Sequence, residues 1–449
     1  MEKQELRAAS SLAAVFSVRL LGLFMIYPVF ADYARHLSGV TPYRIGLALG
    51  IYGLSQGLLQ IPFGLLSDKV GRKIMIVLGL LMFAAGSALA AVSTSIDGVI
   101  AGRLLQGAGA VGSVILALVA DLTGEESRTK AMALVGMTIG ASFLLALVVG
   151  PILAGLVGVS GVFWFMVGLA ALGIAITAFV VPRPPSLRVH RDTEAVPAML
   201  VSILKNKELL RLDFGIFTLH AMLTASFLVV PPLLHERLNV TNHSQWVVYL
   251  PVLLLSVAVM VPTIIVAEKY RRMKAVFVGA VAALAASQFM LAVGRHSVYV
   301  VLAAITLFFA GFNVMEASLP SLVTKAAPPA AKGTATGIFS SSQFLGIFVG
   351  GIVGGWVHQN AGSGDVFVWS GTLALLWLLA AATMQRPDYL ATRLFPIGSG
   401  ADTKLLAARL RQVPGVADVV VITDEELVYL KVDLRFFDAG MAQSLTAAT

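Results

Sequence analysis

The chain has 449 residues, of which 58% are hydrophobic and only 12% charged, with no cysteine and a formal net charge of +8. A water-soluble domain carries about 25% charged residues, so most of this chain belongs in a bilayer. Without cysteine it forms no disulfides, thiolate metal sites or iron-sulfur clusters. The positive balance invites a nucleic-acid partner, but Lys and Arg are scattered over many loops and suit membrane lipid headgroups instead.

A membrane helix needs about 20 predominantly apolar residues. Twelve runs qualify, over residues 12–30, 45–66, 74–92, 99–120, 131–157, 162–181, 212–234, 246–267, 275–293, 298–323, 338–357 and 366–384. The first is too long for a signal-peptide core and reads as a retained helix. Placing the N-terminus inside puts nineteen Lys and Arg on inner segments and leaves four, Arg35, Arg44, Arg237 and Arg295, in outer loops. That bias predicts both termini in the cytoplasm.

The longest inner linker, 182–210, divides the helices into halves over 1–181 and 211–386. Asp68-Lys69-Val70-Gly71-Arg72-Lys73 returns 200 residues later as Glu268-Lys269-Tyr270-Arg271-Arg272-Met273, and the same shift carries Gly150-Pro151 and Gly155 onto Gly350-Gly351 and Gly355. Three agreements at one offset predict duplicated six-helix halves. Over 387–449 the composition becomes soluble, with six basic and eight acidic residues. A helix over 402–412, strands over 416–422 and 427–432 around Asp424-Glu425-Glu426, and an earlier strand over 390–397 predict a small α+β, ferredoxin-like βαββα domain.

The densest cluster of informative residues lies between the second and third runs. Asp68 can accept hydrogen bonds from the amides of a facing helix N-terminus. Gly64 and Gly71 allow close approach and a tight turn. Arg72 can fork to an acid, for which Asp121 at the inner end of the fourth run is the candidate. Gly64-Leu65-Leu66-Ser67-Asp68-Lys69-Val70-Gly71-Arg72-Lys73 resembles the G-x-x-x-D-x-x-G-R-K signature of the major facilitator superfamily at every defined position. Within that family the chain looks most like the proton-coupled drug-efflux antiporters, and its soluble tail is similar to one carried by a bacterial member.

The resemblance implies an all-α transmembrane fold of twelve helices in two halves. Gly64, Asp68, Lys69, Gly71, Arg72, Lys73 and Asp121 would then latch the halves together on the cytoplasmic side when the cavity opens outward. Arg103-Leu104-Leu105-Gln106-Gly107 resembles the second family signature, an intramembrane arginine linked to proton transfer; the plainer alternative is a bundle-stabilising Arg103 bonded to the backbone of the first helix. Gly140, Gly150, Pro151 and Gly155 resemble the antiporter signature of the fifth helix, with Ala154 standing where a second glycine is often seen. Small residues there predict close packing of the fifth helix on the eighth.

Ionisable groups within apolar runs are functional candidates by default. Glu316 and His220 are therefore candidates for proton coupling, and Asp32 is either a proton-entry group or an interfacial carboxylate. A substrate cavity of the family kind would draw on Tyr27, Gln56, Gln60, Phe143, Phe227, Tyr249, Asn313 and Gln343. Its aromatic character suits bulky lipophilic cations or neutral compounds better than sugars. Gly107-Ala108-Gly109-Ala110-Val111-Gly112 matches G-x-G-x-x-G but lies in an apolar helix without the βαβ context of nucleotide binding.

Together these features predict a proton-coupled antiporter exporting small hydrophobic compounds by alternating access. It would be a monomer and not an enzyme, with the proton as coupling ion, no other cofactor, no metal, and an unidentified ligand or partner for the tail. The rivals are a proton symporter importing a small metabolite and a membrane sensor with a regulatory tail.

Overall fold

The computed structural model describes residues 3–182, 199–241, 244–328, 331–385, 391–397, 403–422, 427–433 and 435–447. Most of the linker expected over 182–210 and the acidic turn Asp424-Glu425-Glu426 lie outside the described residues.

The first crossing is two helices, α1 (Lys3–Phe24) and α2 (Tyr27–Ala34), broken at Met25 and Ile26 with Pro28 opening α2. Next come α3 (Pro42–Val70) and α4 (Arg72–Val92), separated by Gly71 alone. The fourth crossing, expected as one run, is also two helices, α5 (Ile96–Ala108) and α6 (Gly112–Asp121). The break has a packing cause: a Cβ on Gly109 would sit 2.1 Å from the Gly79 carbonyl oxygen of α4, so the two backbones touch. Helix α7 (Glu125–Ala175) has 51 residues, with Gly158 at φ 70° inside it. At 1.5 Å per residue this is about 77 Å, more than twice the roughly 30 Å hydrocarbon core, so it makes two crossings that turn at Gly158.

After the short α8 (Leu200–Leu204), the second half comprises α9 (Lys207–Leu238), α10 (Trp246–Lys269), α11 (Met273–Gly294), α12 (Val298–Ala326), α13 (Lys332–Asn360) and α14 (Ser363–Ala382). Eleven helical stretches among the described residues are long and apolar enough to cross a membrane. With the Gly158 turn dividing one of them, the chain crosses twelve times. The six crossings of α1 to α7 pack among themselves, as do those of α9 to α14.

The halves meet chiefly where α3 runs along α13, with further contact of α2 on α9 and α7 on α10. The α3–α13 seam is lined by glycine. A Cβ on Gly46 would lie 2.1 Å from the Gly351 oxygen, and one on Gly53 2.3 Å from the Phe344 oxygen. Without a hydrophobic drive between helices inside lipid, such backbone approach maximises dispersion contact. Two ends of the body are therefore defined: one bearing Asp68, and a far end bearing Pro42 and Asn360.

The tail carries β1 (Ala391–Pro396), α15 (Thr403–Leu410), β2 (Val416–Ile422), β3 (Leu427–Val432) and α16 (Ala439–Ala447). The sheet order is β1-β3-β2, antiparallel throughout, as the predicted ferredoxin-like domain requires. Alternation along β3 turns Val428, Leu430 and Val432 into a core with Leu406, Leu410 and Ala442. The tail touches the second half at the Asp68 end: Asp433 lies 3.6 Å from Arg271, and Lys431 Nζ donates to the Lys325 carbonyl at 3.0 Å.

Candidate functional site

The loop between α3 and α4 is a one-residue turn. Gly71 at φ 107° returns its N–H to the Ser67 carbonyl, a conformation that L side chains rarely adopt. The turn points Arg72 inward, where it is 2% exposed. Its Nε donates to Asp121 Oδ2 at 3.1 Å, its Nη1 donates to Ser67 Oγ at 2.7 Å, and it forms an ion pair with Asp68. Lys73 Nζ donates to the Val181 carbonyl at 2.8 Å, tying the third crossing to the end of the sixth. Gly64 packs on Ser113, while Lys69 is exposed in the last turn of α3. Among the described residues the ion-pair partner of Asp68 is Arg72, in its own half.

Midway along the second half, His220 of α9 is 1% exposed. Its Nδ1 lies 3.2 Å from the Ile216 carbonyl, its Nε2 2.8 Å from Gln343 Nε2 of α13, and the same Nε2 3.8 Å from Glu316 Oε2 of α12. A carbonyl can only accept, so Nδ1 carries the hydrogen; Nε2 then offers its lone pair to the Gln343 amide. The Glu316 side chain keeps 27% exposure, and its Oε2 has no hydrogen-bond partner among the described residues. Three helices of one half thus bring an imidazole, an amide and a carboxylate to one point. Asp32, by contrast, lies near the far end, 3.7 Å from Arg35.

Rings fill the middle of the seam. Tyr27 Oη is 3.3 Å from Thr224 Oγ1, and its ring stands 5.4 Å from that of Phe227. Phe143 meets Phe24 at 4.9 Å and Phe312 at 5.3 Å, while Phe227 adjoins Tyr249 at 6.0 Å. A small void beside this cluster is lined by Ser226, Tyr249, Gln288 and Phe309. Several polar residues expected to line a cavity are instead engaged between helices. Gln60 Nε2 donates to Ser341 Oγ at 2.9 Å across the seam, Asn313 Nδ2 to Ser256 Oγ at 2.7 Å, and Gln56 accepts from Arg19.

Two further expectations need correcting. Arg103 bonds at 3.4 Å to the Ala48 carbonyl of α3, not to the first helix, and its Nη1 donates to Gln106 at 3.0 Å. The fifth-crossing glycines do not seat α10. Gly140 has open space where a side chain would be, Gly150 backs onto the Met25 carbonyl of the first crossing, and Gly155 is exposed, with Pro151 buried between them. Arg19, Thr224, Ser341 and the place of the α3–α13 glycines in the seam escaped the sequence reading. The signal for Arg19 was present, as a charge inside an apolar run.

Two six-crossing helical bodies facing each other across a seam have the architecture of a membrane transporter. The chain belongs to the Major Facilitator Superfamily, whose family model matches residues 12–351 and 212–411. It is similar to the inner membrane transport protein YajR of Escherichia coli, 42% identical over 97% of this chain and 96% of that protein. Multidrug resistance protein MdtH of Proteus mirabilis is 24% identical over 76% of this chain and 84% of its own length. Among solved structures, a bacterial homolog of the human lysosomal transporter Spinster, inward-facing and occupied, superposes with a TM-score of 0.69 at 13% identity, covering 86% of this chain and 98% of that one.

Proposed function

We propose that this transporter is a proton-coupled antiporter that exports small hydrophobic compounds by rocking one half against the other, with both termini in the cytoplasm. The observation that carries the reading is the His220–Glu316 pair, bridged to α13 by Gln343. A carboxylate that keeps partial access yet has an unpartnered oxygen is placed to take up a proton. Adding that proton gives Glu316 a donor that competes with the Gln343 amide of α13 for the His220 Nε2 lone pair, and α13 is the helix that carries the seam with α3. Proton loading and the packing of the halves then share one helix.

Among the described residues Asp68 is engaged within its own half, as expected of a state whose Asp68 end is free of the latch. The aromatic lining of the seam and the name of the MdtH relative favour hydrophobic compounds over sugars. Inward proton movement contributes about 2.3 kcal/mol per 100 mV and about 1.4 kcal/mol per pH unit, enough for steep gradients without nucleotide. The test is a panel of hydrophobic compounds in proteoliposomes with an imposed pH gradient, comparing wild type with Glu316→Gln. Flux driven by the gradient in wild type and lost in the variant supports the reading; a variant with full gradient-driven flux refutes it.

A further inference from the structure

The first half encloses two guanidinium groups with no carboxylate beside them among the described residues. Arg19 of α1 is 3% exposed and Arg103 of α5 is 1% exposed. Their central carbons stand 5.9 and 5.0 Å from the centroid of one ring, Tyr52. The aspartates of this half are occupied at its ends, Asp68 and Asp121 with Arg72, Asp32 with Arg35 and Asp97 with Arg44, and Glu5 accepts from the Gly124 N–H. Neutral partners take some of the donors. Arg19 donates to Gln56 Oε1, and Arg103 to Gln106 Oε1 and the Ala48 carbonyl. Among the described residues, Arg19 Nε and Arg103 Nη2 remain buried without an acceptor.

A guanidinium does not shed its proton in a protein, and a charge held in a membrane interior is costly unless compensated. Amide oxygens and a π face offset part of that cost. They supply neither the missing negative charge nor acceptors for two idle N–H groups. A carboxylate supplies both, and its oxygens match the guanidinium fork. The surroundings suit an aromatic body behind such a group. Arg19 and Arg103 share the Tyr52 ring, which stands 6.4 Å from that of Phe344 on α13, and Tyr27 of the first crossing meets Phe227 and Thr224 of the second half. The pair of arginines therefore borders the ring-lined seam.

We infer that Arg19 and Arg103, with Gln56 and Tyr52, bind the carboxylate of a hydrophobic organic acid, which makes the cargo anionic rather than the lipophilic cation or neutral compound suggested by composition. That this acid is cargo rests on the transport reading above; the binding itself does not.

The test follows thermal unfolding of the purified full-length protein at constant ionic strength with sodium 1-naphthoate, neutral 1-naphthamide or sodium chloride. The site predicts a saturable rise in midpoint with naphthoate, none with the amide and a smaller one with chloride. Arg19→Gln and Arg103→Gln should each weaken naphthoate binding roughly tenfold or more, with Arg103→Lys intermediate. Equal stabilisation by amide and carboxylate overturns the inference, as does equal stabilisation by chloride, no stabilisation by naphthoate, or unchanged binding in both glutamine variants. Should the variants not fold, the wild-type comparison decides alone. Saturable naphthoate binding without gradient-driven flux would sink the transport reading and leave the anion site standing.

Discussion

Replacing Gly46 by alanine probes the joint on which the two halves would move. The added methyl carbon would stand 2.1 Å from the Gly351 oxygen and 2.9 Å from the Gly355 Cα, all of them backbone atoms. An ordinary carbon–oxygen contact is longer than 3.0 Å, so α3 and α13 must part by about 1 Å there. Overpacking of this kind costs about 1–3 kcal/mol, which shifts an equilibrium by roughly 5- to 150-fold. A state in which the far end opens does not bear that cost, so Gly46→Ala should raise its population. The chain has no native cysteine, so spin labels on Cys introduced at Thr94 and Asn360, both exposed at the far end, report the separation directly. Longer distances are expected in Gly46→Ala. Gly140→Ala, whose methyl meets nothing within 4 Å, should leave the distribution unchanged. A folded Gly46→Ala protein with the wild-type distribution would refute the seam as the moving joint.

Other outcomes follow from the polar contacts. Arg72→Leu removes the guanidinium that pairs with Asp68 and with the buried Asp121 carboxylate, a loss of about 3–5 kcal/mol for a broken buried pair; folded yield and unfolding midpoint should both fall, and Arg72→Lys should rescue only in part because it cannot fork. Gln343→Leu should leave the protein folded but change the 15N resonances of the His220 ring, whose hydrogen should sit on Nδ1 in wild type; a wild-type ring with its hydrogen on Nε2 would contradict the assigned geometry. In the tail, hydrogen bonds from Arg435 hold the Asp433 carboxyl well below the usual carboxylate range. A depressed folded-state value stabilises above the unfolded value, about 3.9, and is lost as pH falls through the folded one. The stability gap between wild type and Asp433→Asn should therefore be full at pH 6 and narrow below about pH 4.

How much of this was legible in the residues varied with what each feature depends on. The crossings were, because a run of apolar residues answers to the bilayer and to nothing else. So was the pairing of Arg72 with Asp121, since a buried arginine must find an acid and few were available. The breaks at Met25 and Gly109 were not, because the second reflects backbone contact with Gly79, a neighbour 30 positions away. The α3–α13 glycines were visible as letters, but which helix they face is a property of the assembled halves. Gln56 and Gln60 illustrate the same limit: a glutamine inside an apolar run must be satisfied, and sequence does not say whether by a substrate or by Arg19 and Ser341. The tail was read well because strand alternation and a Pro-Gly turn are local signals.

The most direct measurement is the direction of proton movement when a transported compound is added to proteoliposomes holding the compound on one side only, read by a pH-sensitive dye without any imposed gradient. Antiport predicts protons moving opposite to the compound, with the signal abolished in Glu316→Gln. Protons travelling with the compound, or flux with no proton signal, would contradict the account.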